Sequence, residues 1–573
     1  AVAAVLGVAV WMGSISGAWL GVPLVAFVGL VLAHEQAHRA LEHARRAVRL
    51  YLEGLRRIDD AWAGHGLTGE ALVPAGHLYA ADLDLFGRGS LFELLCTAGT
   101  APGRRTLAAW LLEPAAPTVV RQRQAAVEAL RERLDLREAL ALASDELDDG
   151  VDPPALVRWG EAPAELSAAR ARRFGMLAWL VPAASLGATL AWGFGPAAIA
   201  TPAGWVLAAM VLVTGLVGRA TAGFVRRAQV GAERSARQLE VLARVLACLE
   251  RERFDDPMLA GLRAALVADQ RSAARSIRRL AHLLGWAEMA RSQIFVPVAF
   301  MLLWSLHFAL ALERWRSRHG PVIAGWIAAL GELEALLCLS AYAFEHPDDP
   351  FPTLEDGDDP VLEGDELGHP LLPAATCVRN PVALGGTIRA RIVSGSNMSG
   401  KSTYLRTVGV NVVLALAGAP VRAERLRLSA LRIGATLRVQ DSLQQGASRF
   451  FAEITRLRQV VALADAGPGV LFLLDEILHG TNSHDRRIGG HAIVEGLLDR
   501  GALGLVTTHD LALAAGTGDP RVDNVHFVDE LRGGQLRFDH RLHPGVVRTS
   551  NALALMEAVG LPVSPQAADH GPP

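Results

Sequence analysis

The run GSNMSGKST, residues 395–403, holds the only lysine of the chain; the other side chains among its 56 Lys and Arg are all arginine. Against that background, Lys401 marks a place where arginine fails. Arginine is a wide planar fork, whereas lysine is a compact ammonium on a flexible stem. A tight turn wrapped around a phosphate has room for the second and not the first. The spacing G-x-x-x-x-G-K-S over 395–402 is the phosphate-loop pattern. Gly395, Ser396, Asn397, Met398, Ser399, Gly400, Lys401, Ser402 and Thr403 are therefore the candidate nucleotide contacts.

Two further stretches complete that chemistry. GVLFLLDE is an apolar run ending in Asp475 and Glu476. One acid holds Mg²⁺, together with the Ser402 hydroxyl, and the next orients the attacking water. GALGLVTTHD delivers His509, placed to sense the γ-phosphate. Lys401, Glu476 and His509 are thus the candidate catalytic residues. A fourth stretch, DSLQQGASRFFAEITR, joins a Gly-x-Ser turn, Gly446 and Ser448, to a helix start carrying Glu453 and Arg456. A second anion-binding helix N-terminus is redundant for one nucleotide. It is accounted for if it closes over the nucleotide of a partner subunit.

These residues need particular elements beneath them. IRARIV before the loop reads as a strand and STYLRTVGVNVVLALAG after it as a helix, so the helix N-terminus faces the anion. They fall in a compact α/β domain at 369–563, with a disordered tail at 564–573. An acidic, Pro/Gly-rich linker is expected at 346–368. Residues 77–170 and 224–345 carry apolar positions at helical spacing and read as one interrupted helical core. Within the second part, 294–311 is expected as a core or interfacial helix.

A chain of 61.0 kDa is too large for a single core, and about two to four domains are expected. Its 51% hydrophobic content is concentrated in two uncharged blocks. Residues 1–33 are expected as a transmembrane hairpin followed by a juxtamembrane helix and linker at 34–76. Residues 171–223 are expected as a second hairpin, with its turn between Gly193 and Gly204. Arg170, Arg172 and Arg173 precede its apolar part, and Arg219, Arg226 and Arg227 follow. Both ends should be cytoplasmic. That predicts a multi-pass protein of the cytoplasmic membrane with its nucleotide domain in the cytoplasm. The net charge of −3 excludes a general electrostatic pull on nucleic acid. Cys96, Cys248, Cys338 and Cys377 lack metal-ligand spacing.

The nucleotide region resembles that of MutS, the DNA mismatch repair ATPases of the ABC superfamily. The matching stretches are GHPLL (368–372), VRNPVAL (378–384), SGSNMSGKSTYLRT (394–407), DSLQQGASRFFAEI (441–454), LLDEILHGTNSHD (473–485), TTHD (507–510) and GVVRTSNALALMEAVGLP (545–562). Upstream, 77–114 is similar to the start of the MutS helical core. The resemblance implies an α/β P-loop ATPase domain of ABC type plus an all-α MutS-type core, to which transmembrane helical hairpins are added here. It implies ATP and Mg²⁺, a homodimer in which Gly446 and Ser448 act in trans, and Thr481 and Asp485 at the dimer seam. It also implies DNA as client, held by a ring-shaped clamp. Three departures accompany it. The Phe-x-Glu mismatch-reading domain has no counterpart, so any DNA binding should be sequence-independent. Cys377 stands where many relatives carry an aromatic that stacks on adenine. ILHGTNSHDR replaces the family's run after the paired acids, although Gly480 and Thr481 remain. The rival reading keeps the ATPase and drops DNA, the dimer driving a membrane or protein partner instead.

Overall fold

The computed structural model describes residues 12–13, 16, 21–144, 153–230, 236–267, 272–290, 292–293, 295–357, 359–396, 398–438, 449–467, 469–478, 481–509, 518–532 and 535–547. Asn397, Gly446, Ser448, Gly480, the tail 564–573 and most of the run 1–33 lie outside them.

The chain begins its described course in a long helix, α1 (Gly21–Ile58), with no buried residue. Its uncharged opening turns expose Leu24, Val25 and Leu30, and its last turn is anchored where Arg57 pairs with Glu345 at 2.6 Å. Short helices follow: α2 (Leu91–Leu95), α3 (Ala101–Leu112), α4 (Pro117–Leu130), α5 (Leu134–Ser144) and α6 (Pro153–Glu161). Ser90 caps α2 and Thr100 caps α3 through their hydroxyls, and α4 opens on a proline, whose missing N–H is no loss there.

Next come α7 (Ala168–Phe194) and α8 (Ala197–Val230), which pack on each other as a hairpin. The expected turn of 193–204 is a correction: the helices break only at Gly195 and Pro196. Alanines at 197, 198 and 200 favour helix, and Pro202 forgoes just one backbone bond near the start of α8. Ala168–Phe194 and Thr201–Ala228 are long and apolar enough to cross a membrane. Trp179, Phe194 and Trp205 stand exposed on them.

The helical part closes with α9 (Ala236–Arg251), α10 (Pro257–Leu266), α11 (Ala273–Met289), α12 (Val296–Met301) and α13 (Trp304–Glu345). Leu303, in the left-handed region at φ 47°, separates the last two. The 42-residue α13 is the axle. It packs against α3, α4, α6, α8, α10 and α11, and its second half is buried in the core they form. It too has the length and apolarity of a span, but most of its apolar window is buried by protein. Glycines set its closest crossing: a Cβ on Gly320 would lie 2.1 Å from the Gly160 carbonyl of α6.

The strands, in chain order, are β1 (Thr353–Leu354), β2 (Leu362–Leu367), β3 (Asn380–Leu384), β4 (Ala390–Ser394), β5 (Arg425–Leu428), β6 (Arg432–Thr436), β7 (Val470–Asp475), β8 (Leu503–Thr508), β9 (Val522–Arg532) and β10 (Gln535–Pro544). Helices α14 (Lys401–Ala417), α15 (Arg449–Asp465) and α16 (Ser483–Asp499) connect them. One sheet runs β10-β9-β4-β8-β7-β6, parallel except for β10. The other runs β1-β5-β2-β3. The second sheet corrects the expected linker at 346–368, because β1 and β2 lie inside it. The acidic run is a half-buried strand: Leu362 and Leu367 point inward, while Glu363 and Asp365 meet Arg427 and Arg425 of β5, each at 2.8 Å.

Candidate nucleotide site

Strand β4 ends between β8 and β9, and the chain turns over 395–400 into α14. The turn needs positive φ at Gly395 (148°), Met398 (74°) and Gly400 (109°). It leaves the first amides of α14 facing a cavity of about 590 Å³, within the usual size for a cofactor-sized ligand (~300–1,000 Å³). Ser402 and Thr403 line that cavity, whereas the Oγ atoms of Ser396 and Ser399 are buried in the loop without a partner. Such orphaned groups beside a helix N-terminus suit an anion or its water.

Lys401 is buried against this loop. Its Nζ donates to the carbonyls of Gly395 (3.0 Å) and Ser396 (2.9 Å) and lies 3.8 Å from Glu476 Oε1. Burial lowers its pKa, while the Glu476 and Asp475 carboxylates pull it back.

Asp475 and Glu476 arrive on the C-terminal edge of β7. Asp475 is the register partner of Thr507 on β8, and the Thr507 hydroxyl donates to Asp475 Oδ1. The Glu476 amide donates to the same hydroxyl (3.1 Å) and to the Thr507 carbonyl (3.2 Å). Glu476 and Leu478 both stand in the left-handed region, at φ 47° and 57°. The conformation is held by Glu453 of α15, which accepts the Leu478 amide. Strain of ~1–3 kcal/mol per such residue persists only where its surroundings over-determine it. His509, one residue past β8, places Nδ1 3.5 Å from Glu476 Oε1. Lys401, Asp475, Glu476 and His509 are thereby gathered on one side of the loop.

The facing wall adds His540 to residues of the VRNPVAL stretch. His540 sits at a bulge of β10, at φ 54°, with Nδ1 3.0 Å from the Ser399 carbonyl. A carbonyl only accepts, so Nδ1 carries the proton. Asn380 fixes this bulge: it donates to the His540 carbonyl at 2.9 Å and accepts the Leu542 amide at 2.8 Å. Asn380 was legible within VRNPVAL; nothing in the sequence around His540 marks it. Thr376 and Val378 also line the cavity. Between them, the Cys377 thiol instead takes the His369 amide at 3.2 Å.

Arg456 does not enter the cavity. It donates to the carbonyls of Ala435, Gly76 and His77 and to Asp82 Oδ2 at 3.0 Å, tying α15 to the helical part. Asp82 also accepts the amides of Leu437 and Arg438. Thr481 and Asp485 lie outside the cavity at the start of α16, where Asn482 caps the helix by accepting the Asp485 amide at 2.9 Å.

A divalent cation fits this donor set. Ser402 and Asp475 offer hard oxygens on the cavity wall, the ligand type that Mg²⁺ takes beside phosphates.

Residues 391–569 match the family model of MutS domain V. The matched segment begins within β4 and takes in the loop, the paired acids and His509. The DNA mismatch repair protein MutS of Natronomonas pharaonis is 33% identical over 264 residues, covering 44% of this chain and 30% of that protein. Endonuclease MutS2 of Thermus thermophilus is 37% identical over 196 residues, 34% of this chain and 26% of that protein. The DNA mismatch repair protein MutS of an Exiguobacterium species is 34% identical over 244 residues, 41% and 28%. The chain thus spans less than a third of the length of these relatives.

Proposed function

We propose that this chain is a membrane-anchored, Mg²⁺-dependent ATPase of MutS type that works as a homodimer, with DNA as its client. The observation that carries the ATPase reading is the convergence of Lys401, Asp475 and Glu476 on the phosphate-loop cavity, with His509 Nδ1 3.5 Å from Glu476 Oε1. The loop amides and Lys401 bind the β- and γ-phosphates. Ser402 and Asp475 hold Mg²⁺, which when bound neutralises charge on the phosphate oxygens. Thr507 keeps Asp475 turned toward the cavity. Glu476, held between Lys401 and His509, accepts a hydrogen bond from water and aligns it on the γ-phosphate. His509 contacts the γ-phosphate and, through Glu476, couples its presence to the strand edge. Gly446 and Ser448 of the partner subunit complete the site, and Thr481 and Asp485 lie along the seam.

DNA as client rests on the names of the relatives and on Arg275 and Arg279, exposed one turn apart on α11. α7 and α8 serve as the membrane anchor, with the ATPase domain in the cytoplasm. One observation favours a second reading, in which the dimer drives a membrane partner. α8 packs on α13, α13 on α3, and α3 on α14, so packed helices run from the phosphate loop to the hairpin.

The test is ATP hydrolysis by the full chain in lipid nanodiscs, with and without duplex DNA, beside Glu476→Gln. Mg²⁺-dependent turnover abolished by the substitution is expected. Undiminished turnover in Glu476→Gln would remove the assignment. Hydrolysis intact but DNA unbound in every nucleotide state would transfer the client to the membrane.

A further inference from the structure

Outside the α7–α8 hairpin, a second apolar surface lies open at the corner between α11 and α13. Residues 292–312 carry no Asp, Glu, Lys or Arg. Within them α12 buries only Ala299, while Val296, Val298 and Phe300 of this helix and Leu302 just after it stand exposed. Trp286, near the end of α11, is exposed as well, and its carbonyl accepts from Trp304 Nε1 at 2.7 Å. A short helix that is apolar around most of its circumference and uncovered by protein marks a contact surface rather than a face for water.

The corner lies against the hairpin at the level of its apolar length. α12 packs on α8, where a Cβ on Gly215 would lie 3.9 Å from Phe300 Cζ. Gly215 stands before Arg219, the first charge that α8 carries. The opening of α13 follows α7 in the same way. The Trp179 and His307 rings lie 5.0 Å apart, and Leu303, Leu306, Ala309 and Leu310 share one buried cluster with Ala178 and Val181. Arg314 then returns to the charged flank, since a Cβ on Gly175, two residues past Arg173, would lie 3.6 Å from its Nη2. Leu212 and Leu216 are exposed on α8 around Gly215, so whatever covers them meets α12 too.

Irregular backbone survives in lipid only where the protein itself meets its polar groups. The corner satisfies that condition. The Leu302 amide donates to the Val298 carbonyl at 3.0 Å and that of Leu303 to Phe300 at 3.1 Å. The Leu306 and His307 amides both donate to the Leu303 carbonyl, at 3.0 and 3.1 Å. Charge limits the depth, because Glu288 near the end of α11 and Arg314 on α13 are both exposed. Such a segment enters by ~5–10 Å, as interfacial helices do. We propose that α12 and the turns on either side of it form a foot that sinks into the acyl boundary of the cytoplasmic leaflet, its partner being the lipid of that leaflet. The foot rests on the reading of α7 and α8 as a membrane anchor, and it ties α13 to the membrane at a second point.

The test places nitroxide labels one at a time on the full chain in lipid nanodiscs, in a background without the four native cysteines. Val298→Cys, Phe300→Cys and Leu302→Cys probe the foot, Leu212→Cys the hairpin, and Arg279→Cys an exposed position on α11. Access of a polar nickel complex to the three foot labels should be at least ~5-fold lower than at Arg279, with oxygen access as high as at Leu212, since hydrocarbon admits oxygen and excludes polar solutes. In cells, Ser292→Cys and Arg314→Cys should both react with a membrane-impermeant thiol reagent only after permeabilisation. Nickel access at the foot equal to that at Arg279, with Leu212 shielded, would overturn the foot and leave the anchor standing. Foot labels shielded from both probes would mean that protein, a second copy included, covers α12, and would overturn it as well. Opposite sidedness of Ser292 and Arg314 would replace the foot by a crossing helix. Nickel access at Leu212 as high as at Arg279 would remove the anchor, and the foot with it. Should the cysteine-free chain not fold, the unaltered chain in nanodiscs containing a phosphatidylcholine with a diazirine in its acyl chain decides the matter. Labelled peptides within 295–304 are then expected, and labelling confined to α7 and α8 would overturn the proposal.

Discussion

Lys401 shows how little tolerance the phosphate loop has. Its ammonium fits between two carbonyls 2.9 and 3.0 Å away, with Glu476 behind it and 5% of its surface exposed. A guanidinium carries the same charge but a planar fork that cannot enter this gap. Lys401→Arg should therefore lower ATP turnover at least ~100-fold, about 2.7 kcal/mol in the barrier; steady-state phosphate release measures it. Near-normal turnover would undo the explanation for the single lysine. Glu334 is the opposite case, a buried acid with incomplete partners and a pKa pushed up to about 7 by desolvation. Its folded-state pKa exceeds the unfolded value, so the folded state binds its proton more tightly. Stability is therefore lost as pH rises from about 4.5 toward 7, by up to ~3 kcal/mol. Glu334→Gln has no proton to lose. It should melt close to the wild type at pH 4.5 and clearly above it at pH 8, and equal melting at both would contradict the buried acid. The residues legible beforehand, Lys401, Asp475, Glu476 and His509, sit in contiguous runs whose spacing is itself the chemistry. The roles of Thr507, which stands within TTHD, and of Asp82 and His540 were not legible, because they come from register and long-range packing. A threonine in a strand reads as an ordinary β-former until Asp475 is found opposite it.

At the scale of elements, composition misled where pairing decides. The acidic stretch before the phosphate-loop region reads as a spacer, yet its carboxylates face the arginines of β5 and its leucines alternate inward. Charge density read along the chain does not reveal a basic strand that lies sixty residues away. The α7–α8 hairpin was easier, because an uncharged block bounded by arginines has few foldings. Only its turn is tighter than alanine- and proline-containing sequence suggested. Phe194 is 89% exposed beside that turn, and Arg172 lies in the opening turns of α7. In a background without the four native cysteines, Phe194→Cys should react with a membrane-impermeant thiol reagent on intact cells. Arg172→Cys should react only after permeabilisation, because arginine flanks remain on the cytoplasmic side. Equal reactivity of the two positions, with the protein recovered in the soluble fraction, would make the hairpin an unusually exposed soluble one.

For the whole molecule, a net charge of −3 means that DNA can be held only by local arginine clusters. The helical part offers such a cluster on α11, but not all its arginines are available. Arg278 lies 3.1 Å from Glu240 of α9 and is partly neutralised. Arg275 and Arg279 are exposed on the same face, one turn apart, where two successive phosphates of a duplex would be within reach. Affinity from such contacts carries no base readout and falls steeply with salt, the logarithmic slope changing by ~0.9 per phosphate neutralised. Replacing Arg275 and Arg279 together with Gln should therefore weaken homoduplex and mismatched DNA equally and reduce the salt slope by ~1.8. Fluorescence anisotropy of a labelled duplex over a salt series, with the protein in nanodiscs and Glu476→Gln holding bound ATP, reads both quantities. Binding that weakens while the slope stays unchanged would place the phosphate track elsewhere on the helical part. Strong discrimination of a mismatch from homoduplex would mean that a base-reading element acts in this molecule beyond arginine contact to the backbone.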